Sequence, residues 1–386
     1  MIFIASIFCK LANMNQSKTS HLCIVFGTRP EAIKLAPVIA EIQRRNIFRL
    51  TVISSGQHKE MLDGILELWG IKIDIALATH DGASQVSAIP QLMIDLEPHL
   101  KQLNPDMVIV QGDTSTATAA AILSHAMKIP VAHVEAGLRS FDIWNPWPEE
   151  SNRCMIDALS SLHFPPTEGS AINLRKEGHT DSVYITGNTV VDALHHVSQL
   201  LTTRPNIQLD LEAQLGFSLI EPFILFTQHR REGFGDGQTS VFESILELAA
   251  AGHKIVFPVH LNPRVQDNAQ RMLSGRKNIF LISPQPYLPF IQLLQKCLLL
   301  ISDSGGLQEE APSFGKRIII TRKTTERAEV LESGWGTLVG FDKQLIVSTA
   351  LQDMEKPNLT TAPNPFGDGQ ASSRIVDHLV GFCSNH

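Results

Sequence analysis

The strongest constraint in this chain is an alternation of short, almost wholly apolar runs with amphipathic stretches, and the pattern occurs twice. Residues 21–26 (HLCIVF) read as a buried strand that ends at Gly27. A strand that is apolar on both faces belongs in a parallel sheet covered by helices on each side. Residues 31–45 then carry helical periodicity, with Pro30 near the first turn. Further strands are expected at 50–54, 106–110 and 130–134, and helices at 59–69, 84–103 and 114–127. Pro90 and Pro98 predict a kink or break in the second of these helices. The pattern restarts with strands at 223–227, 254–258, 278–282, 298–302 and 317–321 and closes with a helix at 372–382. Residues 201–222 read as the connection between the halves.

At 386 residues the chain exceeds one ordinary core. The expected class is therefore α/β, with two facing Rossmann-like, doubly wound domains and the active site in the cleft between them. The expected division is a disordered or over-extended tail (1–20), an N-terminal domain (21–187), a C-terminal domain (188–365), and a last helical segment (366–386) packed back on the first domain. Open parallel sheets bind ligands at the carboxyl ends of their strands, so chemistry is sought just after each strand.

Composition narrows the partners. Hydrophobic residues make up 43% and charged residues 18%, as in soluble globular proteins. A net charge of −7 with no basic run argues against nucleic acid. The five cysteines are scattered and contain no CxxC, which suits free thiols in a reducing cytoplasm and no zinc site. Residues 1–12 are apolar but lack a cationic n-region, and are too short to span a bilayer. Met14, which opens a polar stretch, is a candidate start.

Six clusters follow strands. FGTRPEAIK places Gly27 in a tight turn and brings Arg29 and Lys34 to a helix mouth. No GxGxxG is present, so a nicotinamide dinucleotide is not indicated. VQGDTST offers Asp113 as a helix N-cap or as a pocket carboxylate. HVEAGLR ends a buried strand on Glu135, which must be paired, protonated or functional. Glu149 and Glu150 follow in PWPEE, and one of them suits first-turn helix charge. In the second half, QHRRE sets His229 beside two arginines, and VHLNP repeats the placement with His260. DSGGLQEEAP is the most specific: a strand end, two glycines that admit backbone N–H groups to a phosphate, then a helix carrying Glu310. TTER adds Arg327 in the next loop.

With these motifs in this order, the chain resembles the non-hydrolysing UDP-N-acetylglucosamine 2-epimerases over nearly its whole length after about residue 20. The closing NPFGDGQASSRI fits as well. The resemblance implies a fold similar to the B-type glycosyltransferases, with UDP held by the C-terminal domain. It puts Asp113, Glu135, Glu149 and His229 at catalytic positions. Ser304, Gly305 and Gly306 fall on the diphosphate loop, Glu310 on the ribose contact and Arg327 on another nucleotide contact. Arg29 and Lys34 fall on N-terminal ligand positions, Gln285 and Phe290 on the uracil side, and Gln57 and His58 on a possible allosteric region. The chain departs from the family at Gln228, where a small residue is usual, and at Gly233, where a polar one is usual. It also departs at Lys323, where an acidic residue is common, and at Ala328, where proline is.

The implied reaction is reversible epimerisation at C2 of UDP-N-acetylglucosamine to UDP-N-acetylmannosamine, through elimination of UDP to 2-acetamidoglucal and re-addition. It would supply precursors of surface polysaccharide. The scheme needs neither cofactor nor metal, and the family implies a cytoplasmic homodimer with no membrane or nucleic-acid partner. The alternatives are a hydrolysing 2-epimerase, a glycosyltransferase of similar fold and a non-catalytic UDP-sugar sensor.

Overall fold

The computed structural model describes residues 19–56, 59–78, 85–356 and 362–385. Most of the expected tail, and both Gln57 and His58, lie outside them. The first sheet contains β1 (His21–Phe26), β2 (Arg49–Ser54), β3 (Ile75–Ala76), β4 (Met107–Gln111), β5 (Val131–Val134) and β6 (Leu162–Phe164). The second contains β7 (Phe223–Thr227), β8 (Lys254–Pro258), β9 (Ile279–Ile282), β10 (Leu299–Ser302), β11 (Ile318–Ile320) and β12 (Gly336–Leu338). All pairings within the two sheets are parallel.

The strand orders are β3-β2-β1-β4-β5-β6 and β12-β11-β10-β7-β8-β9. Each is the doubly wound order of a dinucleotide-binding sheet, and each reverses direction once: between β1 and β4, and between β7 and β10. Four of the motif clusters sit at these reversals, where the crossover helices diverge and leave a crevice.

The apolar runs explain themselves in packing. Leu22, Ile24 and Phe26 of β1 join one buried cluster, while Cys23 and Val25 join another on the opposite face. Phe223 and Leu225 of β7 separate from Ile224 and Phe226 in the same way. Burial on both faces removes any need for polar alternation.

Three differences from the sequence reading have physical causes. The strands β3, β6 and β12 have only two or three residues each, too short to show periodicity. Helix Gln85–Leu103 runs through both Pro90 and Pro98, so no break occurs. The connection at 201–222 contains a helix, Asn206–Leu215, anchored by buried Leu211 and Leu215 with Ile207 packed beside them. The last helix, Ala371–Asn385, packs its Ile375, Val376 and Leu379 into the same cluster as Ile39 and Ile42 of helix Arg29–Arg45. The Asp192 carboxylate accepts the Ser372 N–H at 2.9 Å and the Ala371 N–H at 3.2 Å, matching negative charge to a helix start.

Candidate active site

A cavity of about 560 Å³ opens where the two sheets face each other, and loops of both halves line it. That volume lies in the range of small-molecule sites. Asp113, Glu135, Glu149, His229, Arg29, Lys34, Gln285, Phe290, Ser304, Gly306, Glu310 and Arg327 all border it. Gly305 lies in the same turn and is buried.

The first-half wall is built from strand ends. After β1, the buried carboxylate of Glu31 accepts the N–H groups of Gly27 (3.0 Å) and Thr28 (2.7 Å) and the Thr114 hydroxyl (2.7 Å). One side chain thus ties the turn carrying Arg29 to the turn carrying Asp113. Arg29 reaches across the cleft, 5.8 Å from the ring centroid of Tyr287. The N-cap of helix Ser115–Ala126 is Thr114, whose oxygen accepts from the Ala117 N–H at 3.1 Å. The capping role open to Asp113 is therefore taken by its neighbour. Asp113 instead pairs with Arg153 at 2.8 Å, and its carbonyl accepts from the Asn152 amide at 2.7 Å.

After β5, Glu135 adopts φ +67°, a conformation costly for a residue with a side chain, and aims its carboxylate at Lys34. Burial raises its pKa; Lys34 opposes the rise and Glu309 adds to it. Of the PWPEE pair, Glu150 is the structural member. Its carboxylate accepts the Ser140 and Phe141 N–H groups and pairs with Arg153, each at 3.0 Å. Glu149 borders the cleft, and its buried Oε2 has no hydrogen-bond partner among the described residues.

The second-half wall sets cations beside carboxylates, with Arg230, Arg327, Glu310 and Glu326 all on the cleft. Asp303, after β10, accepts the N–H groups of His229 and Arg230 at 2.8 Å each and faces His229 Nδ1 at 2.9 Å. That contact leaves Nε2 of His229 for a ligand. His260 stacks beside it, with ring centroids 5.6 Å apart. Arg327 and Arg230 converge on the Ser304–Gly306 turn. A Cβ at Gly305 would stand 2.9 Å from Arg327 Nη1 and 3.3 Å from Arg230 Nη2. Glycine is needed there for close approach, and two guanidinium groups beside an open turn form a natural anion seat. Glu310 titrates at about 7, raised by burial and by Glu309 and opposed by Lys34 and Arg29.

Sequence reasoning passed over several of these groups. Glu309 was overshadowed by its neighbour Glu310, yet it is the buried one, pairing with Arg327 at 2.7 Å and with Lys34 at 2.9 Å. Glu326 holds Arg322 at 2.7 Å, a spacing of four residues that was visible in the chain. Arg230 stands inside QHRRE, and Arg153 lies three residues beyond PWPEE, without either being singled out. The two departures beside His229 fit one another. Gly233 lacks a side chain where the Gln228 amide lies, since a Cβ there would be 3.3 Å from Gln228 Nε2. Among the described residues, no group of three or more His, Cys, Asp or Glu is arranged to hold a metal, and no helix is long and apolar enough to cross a membrane.

Comparison with known proteins adds an independent result. The family model described as UDP-N-acetylglucosamine 2-epimerase matches residues 40–380. The UDP-N-acetylglucosamine 2-epimerase of Escherichia coli K12 is 43% identical over 366 residues, covering 92% of this chain and 97% of its own. The Neisseria meningitidis UDP-GlcNAc 2-epimerase, solved with UDP-GlcNAc bound, superposes with a TM-score of 0.88 at 42% identity, covering 94% of this chain and all of the other. The Methanocaldococcus jannaschii enzyme in complex with UDP-GlcNAc and UDP gives 0.83 at 33% identity, covering 94% and 99%.

Proposed function

The chain belongs to the UDP-N-acetylglucosamine 2-epimerase family, and from that premise we propose how its own residues invert carbon 2 of UDP-N-acetylglucosamine. The chemical difficulty is that C2 is unactivated, so loss of its proton alone would leave an unstabilised carbanion. Breaking the C1–O bond in the same process sends the electrons to the departing UDP. A base removes the C2 proton, a C1–C2 double bond forms, and the products held in the cleft are 2-acetamidoglucal and UDP. Return of the UDP oxygen to C1, with a proton delivered to the opposite face of C2, gives the epimer. Bonds, electrons and protons balance without an external oxidant or reductant.

The observation that carries this reading is that candidate acid–base groups and an anion seat face each other across one cleft. Carboxylates of Asp113, Glu135 and Glu149 line one wall, and Arg230, Arg327 and the Ser304–Gly306 turn line the other. Those carboxylates supply acid–base groups for the sugar. The two guanidinium groups and the turn stabilise the negative charge that develops on UDP. His229, held by Asp303, adds a donor beside the diphosphate. Glu310 accepts from the ribose hydroxyls, and Gln285 and Phe290 receive the uracil. Enclosure between the halves keeps the glycal from water. The proposal extends to a homodimer in the cytoplasm, for which sedimentation velocity tests the assembly state.

The test is a proton NMR time course with UDP-N-acetylglucosamine in heavy water. Deuterium is expected at C2 of the epimer. An epimer that keeps protium at C2 would exclude proton exchange at that carbon and with it this route.

A further inference from the structure

Lys34 stands between two carboxylates that belong to different halves of the molecule. Glu135 follows β5 of the first sheet, as Lys34 follows β1, so that ion pair lies within one half. Glu309 lies in helix Gly305–Glu310, after β10 of the second sheet, and its Oε2 is 2.9 Å from Lys34 Nζ. Its other oxygen accepts from Arg327 Nε at 2.7 Å. Lys34 and Glu309 are 8% and 1% exposed, so water screens this bridge weakly. Because it crosses the cleft, the Lys34–Glu309 contact exists only while the two halves are together, whereas the Lys34–Glu135 contact survives their separation.

We propose that Glu309 is a positioning residue which, through Lys34, ties the joining of the two halves to the working state of Glu135. The inference rests on the reading of Glu135 as an acid–base group. One ammonium serves two carboxylates. With the halves apart, Lys34 directs its charge to Glu135 alone and holds it as a tightly paired carboxylate, a poor proton acceptor. With the halves together, Glu309 draws on the same ammonium and brings its own negative charge near Glu135, while burial withdraws water. Both changes make Glu135 a stronger base when substrate is enclosed. The charged groups facing Glu135 are Lys34, Glu309 and Arg327, and the Asn188 amide approaches it at 3.4 Å. Arg327 works in the opposite sense to Glu309 and is itself neutralised by Glu309 and Glu326. Glu310, next in sequence, borders the cleft at the nucleotide side, which explains why adjacent glutamates divide the labour.

The test is the pH dependence of kcat for epimerisation in three variants, with UDP affinity and thermal melting measured alongside. Glu309→Gln keeps the hydrogen-bonding shape and removes the charge, so the low-pH limb should move about one unit toward acid and kcat should fall roughly tenfold. Glu309→Asp keeps the charge and should leave the limb where the native protein has it. Lys34→Met removes the shared cation and should move the limb toward higher pH. Opposite displacements in Glu309→Gln and Lys34→Met support the coupling. A folded Glu309→Gln protein with an unmoved limb, or displacement of both variants in one direction, overturns it. If Glu309→Gln does not fold, the aspartate and methionine variants decide alone: a limb displaced in Glu309→Asp, or unmoved in Lys34→Met, overturns the coupling. Glu135→Gln separates this inference from its premise. If it leaves turnover intact, the acid–base reading of Glu135 fails; if it stops turnover while Glu309→Gln leaves the profile unmoved, only the coupling fails.

Discussion

Two buried charge networks meet in the first half of the molecule, one confined to it and one reaching into the other half, and they are built to opposite ends. Behind the cleft, Asp157 is fully buried and accepts from His133 at 2.6 Å, Arg139 at 2.7 Å and the Gly137 N–H at 3.1 Å. His133 closes the circuit by reaching the Gly112 carbonyl at 2.8 Å. Burial works to raise the Asp157 pKa, but His133 and Arg139 outweigh it and hold the group at about 2. All of these partners come from one half. At the cleft, Glu135, Lys34, Glu309, Arg327 and Glu326 form a chain that crosses between halves, and Glu149 Oε2 and Arg230 Nε have no hydrogen-bond partner among the described residues. A network satisfied within one body is scaffold. One shared between two bodies, with unmet donors and acceptors, is poised for a ligand.

Mutations should separate the two. Glu135→Gln is expected to lower turnover by about a thousandfold, within the usual range for an acid–base group, while changing the melting temperature by no more than a few degrees. A stopped-assay comparison with a thermal melt checks both halves of that statement. Asp157→Ala should do the reverse. Removing one member of a buried, fully paired set costs about 3–5 kcal/mol. Chemical denaturation should show that loss, and whatever protein remains folded should keep its UDP affinity. If Asp157→Ala loses activity without losing stability, the division between scaffold and site is wrong.

Smaller effects sharpen the second-half wall. Gly305→Ala forces a methyl against Arg327 and Arg230, and overpacking of about 2 kcal/mol should weaken UDP binding roughly thirtyfold by calorimetry. Glu310, titrating at about 7, should make UDP bind more tightly as pH rises, because the ionised carboxylate accepts from both ribose hydroxyls and the protonated one has lost an acceptor. The deprotonated fraction of such a group grows roughly tenfold from pH 6 to pH 8. Glu310→Gln should flatten that part of the slope.

The same contrast marks what could be read from the chain. Runs such as 21–26 and 223–227 announced their strands because burial on both faces leaves a continuous apolar signature. β3, β6 and β12 left none, since two or three residues carry no period. The tolerance of Pro90 and Pro98 within one helix comes from tertiary support that no local rule supplies. Residues at strand ends were legible as candidates because parallel sheets put chemistry there. Which carboxylate caps, pairs or faces the cleft was not. Thr114 rather than Asp113 caps its helix, Glu150 rather than Glu149 pins the Ser140–Phe141 turn, and Glu309 rather than Glu310 meets Lys34. The first two choices turn on partners within ten residues, settled by how each turn closes, and for Lys34 the partner belongs to the other half.

Breakage of the bond between C1 and UDP, with both fragments kept in the cleft, is the step on which the whole account depends. Positional isotope exchange tests it directly. Substrate carrying oxygen-18 in the bridge between C1 and the β-phosphorus is incubated with the enzyme, and unreacted substrate is examined by phosphorus NMR. Label is expected to move from the bridge to the non-bridging β-phosphoryl positions at a rate comparable to epimerisation, since a freed β-phosphate rotates before it returns. Epimer formed with the label still wholly in the bridge would contradict it.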